Sequence, residues 1–111
     1  MQRQGVYPPP PGVTPNLGLE CAGEIVDPVT LEPTGERVAA LLSGGGYAQY
    51  AKVRRSHTFP LVNSDFSWVE AAAIPEVWLT AFQLLFMIAK AQSGETALIH
   101  AAASGVGTAM L

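Results

Sequence analysis

The chain has 111 residues, enough for one domain with a real core; 49% of them are apolar and 14% charged. That balance, with a mean hydropathy of +0.25, excludes an intrinsically disordered chain and describes a folded soluble protein. The net charge of −3 gives no support to nucleic-acid or anionic-membrane binding, and one cysteine, Cys21, excludes an internal disulfide framework and a Cys-rich zinc lobe.

Residues 1–5 are no secretory signal, because no apolar core follows them. A single thiol is compatible with the reducing cytosol. Residues 5–16 hold Gly5, the prolines 8–11, Gly12 and Pro15, and are expected as an extended loop that opens with Tyr7. Residues 17–26 read as a strand whose glycines, Gly18 and Gly23, mark a bulge or a close backbone approach. Asp27-Pro28 and Glu32-Pro33-Thr34-Gly35 are turn signals. Residues 37–42 predict a second strand and residues 43–46, Ser-Gly-Gly-Gly, a mobile turn. Residues 47–53 alternate well enough for a half-buried strand, and residues 58–62, broken by Pro60, for an edge segment. Short strands between Gly/Pro turns point to a small β-barrel or sandwich. The basic cluster Lys52, Arg54 and Arg55 reads as a solvated strand end.

The pattern changes near Ser64. Ser67-Trp-Val-Glu70 fits a capping box, and Pro75 closes that short helix while opening the next. Residues 75–91 are apolar almost all round and predict a buried helix wanting partners on more than one side. Its apolar run, residues 77–89, is interrupted by Thr80 and Gln83 and is too short to span a bilayer. Residues 96–100 then predict a strand running into Ala101-Ala-Ala-Ser-Gly-Val-Gly107.

A β-run feeding a small-residue turn is how the first strand of a dinucleotide-binding fold meets its phosphate-binding turn. Pyrophosphate must approach backbone N–H groups closely, so side chains there are small, and the following helix adds unpaired N–H groups and the positive end of its dipole. Gly-Val-Gly alone is a weak signal, also met in strand–helix turns that bind nothing. Ser104 has two readings, a hydrogen bond to phosphate or nicotinamide, or a helix cap. His100 is expected as a packed or capping residue, and His57 has no partner visible in sequence. Glu76 and Thr80 are four apart and share a helix face. No Gly-x-Ser-x-Gly elbow and no P-loop lysine is present.

Together, residues 2–12, 17–23, 42–50, 72–82 and 98–108 resemble, in order and over nearly the whole chain, the NADPH-dependent quinone oxidoreductases of the medium-chain dehydrogenase/reductase superfamily, most of all the tumour-suppressor-inducible subgroup. The resemblance implies a mixed α and β fold: a partial GroES-like β-barrel substrate domain at residues 1–66, then interdomain helices and the first strand and glycine turn of a truncated Rossmann dinucleotide-binding domain at residues 67–111. It implies hydride transfer from NADPH to a quinone or related electrophilic carbonyl compound. Tyr7 and Ser104 match the family's catalytic cleft residues. Thr80, Ala102, Ser104, Gly105, Val106 and Gly107 match its cofactor-binding positions. Zinc-dependent relatives carry a histidine where this chain has Leu19, in Gly18-Leu19-Glu20, so the zinc-free branch is implied and no metal is expected.

Such relatives carry an N-terminal strand region before Gln2 and about two hundred residues after Leu111. The chain is therefore expected to be part of such an enzyme and inactive alone, its parent a cytoplasmic homo-oligomer acting on a small molecule, with neither nucleic acid nor membrane as partner. Two alternatives stand beside this reading: a non-catalytic module pairing with a full-length relative through its apolar helix, and an enoyl reductase of the same superfamily.

Overall fold

The structure, a computed structural model, describes residues 2–62 and 65–111. It contains two compact units, Met1–Pro75 and Glu76–Leu111.

The first unit is built on a three-stranded antiparallel sheet in the order β1-β2-β3, with β1 at Glu20–Val26, β2 at Pro33–Leu41 and β3 at Thr58–Pro60. Glu20 pairs with Leu41 and Glu24 with Arg37; a register shift between Glu24 and Val26 then brings Val26 opposite Pro33. The connecting turn is the one its residues demand. The Asp27 carboxylate accepts the N–H groups of Val29 and Thr30, both at 2.8 Å, and Leu31 takes a left-handed backbone at φ 61°. Those two N–H groups, Thr30's first, hold the Asp27 carboxyl below its ordinary range. On the far edge β3 pairs Ala40 with Thr58 and Val38 with Pro60. A proline, lacking a ladder donor, is tolerated on that edge.

The central strand carries the core. Val38, Ala39 and Ala40 are consecutive and all buried, so both faces of β2 are covered there. Alanine keeps each layer thin, and α1 (Trp68–Ala72) packs on β1 and β2 with Ala71 fully buried. The predicted capping box is present. The Ser67 hydroxyl oxygen accepts the Glu70 N–H at 3.3 Å, and the Glu70 carboxylate accepts the Ser67 N–H at 2.9 Å and its O–H at 2.7 Å. Arg37 of β2 stacks its guanidinium 4.2 Å from the centre of the Trp68 ring and donates to the Phe66 carbonyl at 2.9 Å.

Four expectations for this unit fail, the first being the turn at residues 32–35, since Pro33, Thr34 and Gly35 already belong to β2. Residues 17–19 precede β1 instead of belonging to it, and residues 43–46 are held rather than free. Leu42 donates to the Leu19 carbonyl, Gly45 to Asn16, Gly46 to Gly18 and Tyr47 to Leu17, at 2.7 to 3.0 Å. Gly18 sits at φ 100°, and a Cβ there would lie 2.7 Å from Gly46 Cα. The close approach expected of Gly18 is thus real and explains both glycines at once; Gly23 has open space around its Cβ position. The strand expected at residues 47–53 has no ladder. Tyr47 spends its N–H on the Leu17 carbonyl, and β1 and β3 already flank β2, so alternation of side chains found no partner edge there.

In the second unit the long helix is shorter than its hydrophobic pattern. The α2 helix, Pro75–Phe82, passes at Gln83–Ile88 into a wider π-helical turn in which Ala89 donates to the Leu84 carbonyl. Phe82 and Phe86 pack ring to ring on it, 5.1 Å between centroids. Lys90, at φ 56°, ends the helix. The expectation of a buried helix is overturned: Ala81 is buried, but Trp78, Phe82, Phe86, Met87 and Ile88 are each more than half exposed. Periodicity reports which faces want cover, not whether a covering element exists. The same holds for residues 96–100, which form no ladder. No helix among the described residues is long and apolar enough to cross a membrane.

Candidate functional site

The turn at residues 101–107 is shaped by backbone. Ala101 takes φ 52°, a left-handed conformation unusual for a residue with a Cβ, and its carbonyl accepts the Ser104 N–H at 2.9 Å. That tight bend delivers the chain to α3, Gly105–Ala109, with Ser104 extended at its N-cap. The Ser104 hydroxyl oxygen accepts the Gly107 N–H at 3.1 Å, and the Thr108 hydroxyl donates back to the Ser104 carbonyl at 2.9 Å.

Two glycines serve different needs. A Cβ on Gly107 would lie 2.4 Å from the Ala101 carbonyl oxygen and 2.7 Å from Ala102 Cα, so only glycine lets α3 sit this close to the bend. A Cβ on Gly105 would lie 3.0 Å from Val77 Cγ1. That contact brings α2 beside the turn. Val77 and Thr80 are three apart and share a helix face, so Thr80, half-buried, lies one turn along from the contact.

The arrangement suits an anionic ligand. Ser104 and Gly105 are exposed, and the first N–H groups of a helix have no intrahelical acceptor. Gly107's N–H is already taken by Ser104, which leaves those of Gly105 and Val106 at the open end. A hydroxyl has one proton and two lone pairs. Ser104 spends a lone pair on the cap, and no acceptor for its proton is found among the described residues. The two sequence readings of Ser104, cap and phosphate donor, are therefore compatible. Ala102 and Ala103 add no bulk. These residues fit a dinucleotide diphosphate.

The candidate residues fall in both units. Thr80, Ala102, Ser104, Gly105, Val106 and Gly107 belong to the second; Tyr7, largely exposed beyond the first short helical turn at Gln2–Gln4, belongs to the first. His100 is exposed and is neither packed nor a cap, because Ser104 holds the cap position. Cys21 is half-buried, and burial pushes its thiol above the ordinary value. Among the described residues no group of three or more His, Cys, Asp or Glu could hold a metal ion. Sequence reasoning missed Ala101 and Val77. Nothing in an alanine announces a left-handed bend, and Val77 is one of many apolar residues on its helix.

A short antiparallel sheet, a capped helix and a serine-capped glycine turn, in this order, make this a mixed α and β chain. Among known proteins, its homologues include quinone-oxidoreductase-like members of the medium-chain dehydrogenase/reductase superfamily. It is 39% identical over 114 residues to the synaptic vesicle membrane protein VAT-1 homolog of Danio rerio, covering 98% of this chain and 23% of that protein. It is 35% identical over 117 residues to the quinone oxidoreductase of Lama guanicoe, 96% of this chain and 33% of the relative. It is 41% identical over 100 residues to the squalestatin tetraketide synthase of Phoma sp. (strain C2932), 86% of this chain and 4% of the synthase. The crystal structure of human synaptic vesicle membrane protein VAT-1 homolog-like protein superposes with a TM-score of 0.79 at 34% identity, over 99% of this chain and 36% of that one. The chain thus spans between 4% and 36% of the length of these relatives. No protein-family model matches it.

Proposed function

We propose that the chain is the substrate-domain and phosphate-turn part of a zinc-independent, NADPH-dependent quinone oxidoreductase, inactive without the remainder of such an enzyme. The observation that carries the reading is the turn at Ser104: its capping oxygen is used, its proton is free, and the exposed backbone beside it is glycine. The similarity to a quinone oxidoreductase over nearly the whole chain supports it. When bound, NADPH supplies the hydride from its nicotinamide C4. The chain's own residues bind and orient. The N–H groups of Gly105 and Val106 and the Ser104 hydroxyl hold the diphosphate, with Ala102 and Gly107 keeping the approach clear. By the resemblance, Thr80 would serve the nicotinamide end of the cofactor and Tyr7 would offer its hydroxyl to the quinone oxygen. Leu19, which cannot ligate a metal, stands for the zinc-free branch. The parent is read as a cytoplasmic homo-oligomer acting on a small molecule, in keeping with the free thiol of Cys21.

The test is a chimera in which this chain replaces the matching segment of the Lama guanicoe quinone oxidoreductase. The expected result is saturable NADPH binding and quinone reduction, with Ser104→Ala weakening NADPH roughly tenfold, as loss of one charge-assisted hydrogen bond does. A folded chimera that binds no NADPH would falsify the reading. A second reading, enoyl reduction, is favoured by the similarity to a polyketide-type synthase; the same chimera assayed with an α,β-unsaturated thioester separates the two. The exposed aromatic face of α2 and its π-helical turn favours a third, a non-catalytic module pairing with a longer relative. Gel filtration of the chain with such a relative tests it.

A further inference from the structure

The basic cluster of the sequence does not stay together. Arg55 turns to Glu36 and forms an ion pair with it. Lys52 and Arg54 instead line an open cleft of about 480 Å³ in the first unit, together with His57. The rest of the lining comes from the end of the proline loop (Val13, Thr14) and from the end of β2 and the glycine turn (Leu41, Leu42, Ser43). The tight helical turn Arg55–His57, closed by the His57 N–H on the Arg54 carbonyl at 2.8 Å, sets Arg54 and His57 at its two ends.

Three features make this cleft chemically specific. No Asp or Glu lines it, in a protein whose net charge is −3. Lys52, Arg54 and His57 have no ion-pair partner among the described residues, whereas Arg55 has Glu36 and Arg37 has Trp68. Its remaining walls are apolar or hydroxylic: Val13, Leu41, Val53 and the buried Leu42 against Ser43 and Thr14. A guanidinium offers a planar fork to an oxyanion, an ammonium a point charge, and hydroxyls take up the remaining oxygens. The volume lies within the range of small-molecule sites, roughly 300–1,000 Å³, and is far too small for a nucleic-acid strand or a lipid surface.

We infer that this cleft binds a small molecule with a compact oxyanion head, a phosphate monoester or a carboxylate, and a short apolar body. The head lies between Lys52, Arg54 and His57, and the body against Val13, Leu42 and Val53. The site is made within the first unit and is independent of the cofactor reading, which rests on the turn at Ser104.

The test is a titration of the ¹⁵N-labelled chain, followed by amide shifts, with phenyl phosphate, phenylacetate and inorganic phosphate at constant ionic strength. The expected result is saturable shifts at residues 12–14, 41–44 and 52–57, with one of the two phenyl compounds at least tenfold tighter than inorganic phosphate; whichever is tighter names the head. Arg54→Gln weakens that binding at least tenfold. Arg3→Gln, which removes the same charge outside the cleft, leaves it within twofold, and Ser104→Ala leaves it unchanged. Shifts that do not saturate, that Arg3→Gln reduces as much as Arg54→Gln, or that inorganic phosphate produces equally well would each overturn the inference.

Discussion

The two units use the same small parts, a serine cap and a glycine turn, to opposite ends. At α1 the N3 residue is Glu70, and its carboxylate accepts both the N–H and the O–H of Ser67, so both protons of the capping serine are spent inside the chain. At α3 the N3 residue is Gly107, which has no side chain to return the favour, so the Ser104 proton is left over. The glycine turn at residues 44–46 gives the N–H groups of Gly45 and Gly46 to the carbonyls of Asn16 and Gly18. The one at residues 105–107 keeps its leading N–H groups at an exposed helix start. A glycine-rich turn is therefore no sign of a ligand by itself. What separates the two is where the donors go.

The sharpest break of this contrast falls on the closed side. Gly18→Ala forces a Cβ to within 2.7 Å of Gly46 Cα at a backbone angle of φ 100° that alanine resists. Strain and overpacking add, and the loss of stability is expected to be about 3 kcal/mol or more. Gly23→Ala, on the same segment with open space around its Cβ position, is expected to change stability by under about 1 kcal/mol. Urea unfolding of the two variants checks the difference. Equal losses would show that the lock at residues 16–20 does not hold the turn.

How much of this was legible in the sequence follows the same division. Local chemistry was readable: the Asp27 turn, the Ser67–Glu70 box, the double role of Pro75 and the proline-bearing edge segment at β3 all depend on residues close in sequence. What failed depended on partners. Residues 47–53 alternate like a strand, residues 96–100 read as a β-run and residues 75–91 read as a buried helix, yet each needed a neighbour that the pattern cannot supply. The site divides likewise. Ser104 and Gly107 were visible as a spacing, and the resemblance named them. Val77 against Gly105 was not visible, because a helix contact across almost thirty residues leaves no mark on either residue. The split of Lys52 and Arg54 from Arg55 was hidden for the same reason, since it turns on Glu36.

On the open side the two glycines of α3 should separate stability from binding. Gly107→Ala places a Cβ 2.4 Å from a carbonyl oxygen that belongs to the bend itself, and about 2 kcal/mol of stability is expected to go. Gly105→Ala meets only the tip of Val77, 3.0 Å away, which can give by a small rotation, so its cost is expected to stay below about 1 kcal/mol. Because Gly105 is exposed and its backbone is proposed to face the diphosphate, the same change in the chimera should weaken NADPH more than it weakens the fold. Thermal unfolding with and without NADPH checks this. A Gly105→Ala chimera that binds NADPH as well as the parent would place the diphosphate elsewhere.

The smallest effect tests whether the α1 cap is truly closed, and it is read through pH. The Glu70 carboxyl is held below its ordinary value of 4.5 by the Ser67 hydroxyl first and the Ser67 N–H second. A carboxyl whose value is lowered by folding stabilises the native state fully above its unfolded value. That contribution is lost as pH falls through the lower, folded one. The stability difference between the parent chain and Glu70→Gln should therefore be constant from neutral pH to about 5 and shrink below about 4.5. Asp27, lowered in the same direction by its own turn, cancels in that difference because both chains keep it. Ser67→Ala should remove most of the pH dependence while leaving the carboxylate in place, since the hydroxyl is the larger of the two causes. Ser104→Ala has no acid at N3 to reveal: it should cost about 1 kcal/mol, the ordinary worth of a serine cap, at every pH from 4 to 7. A stability loss for Ser104→Ala that shrank below pH 4.5 would mean that a carboxylate closes this cap too, and would remove the spare proton on which the phosphate reading depends.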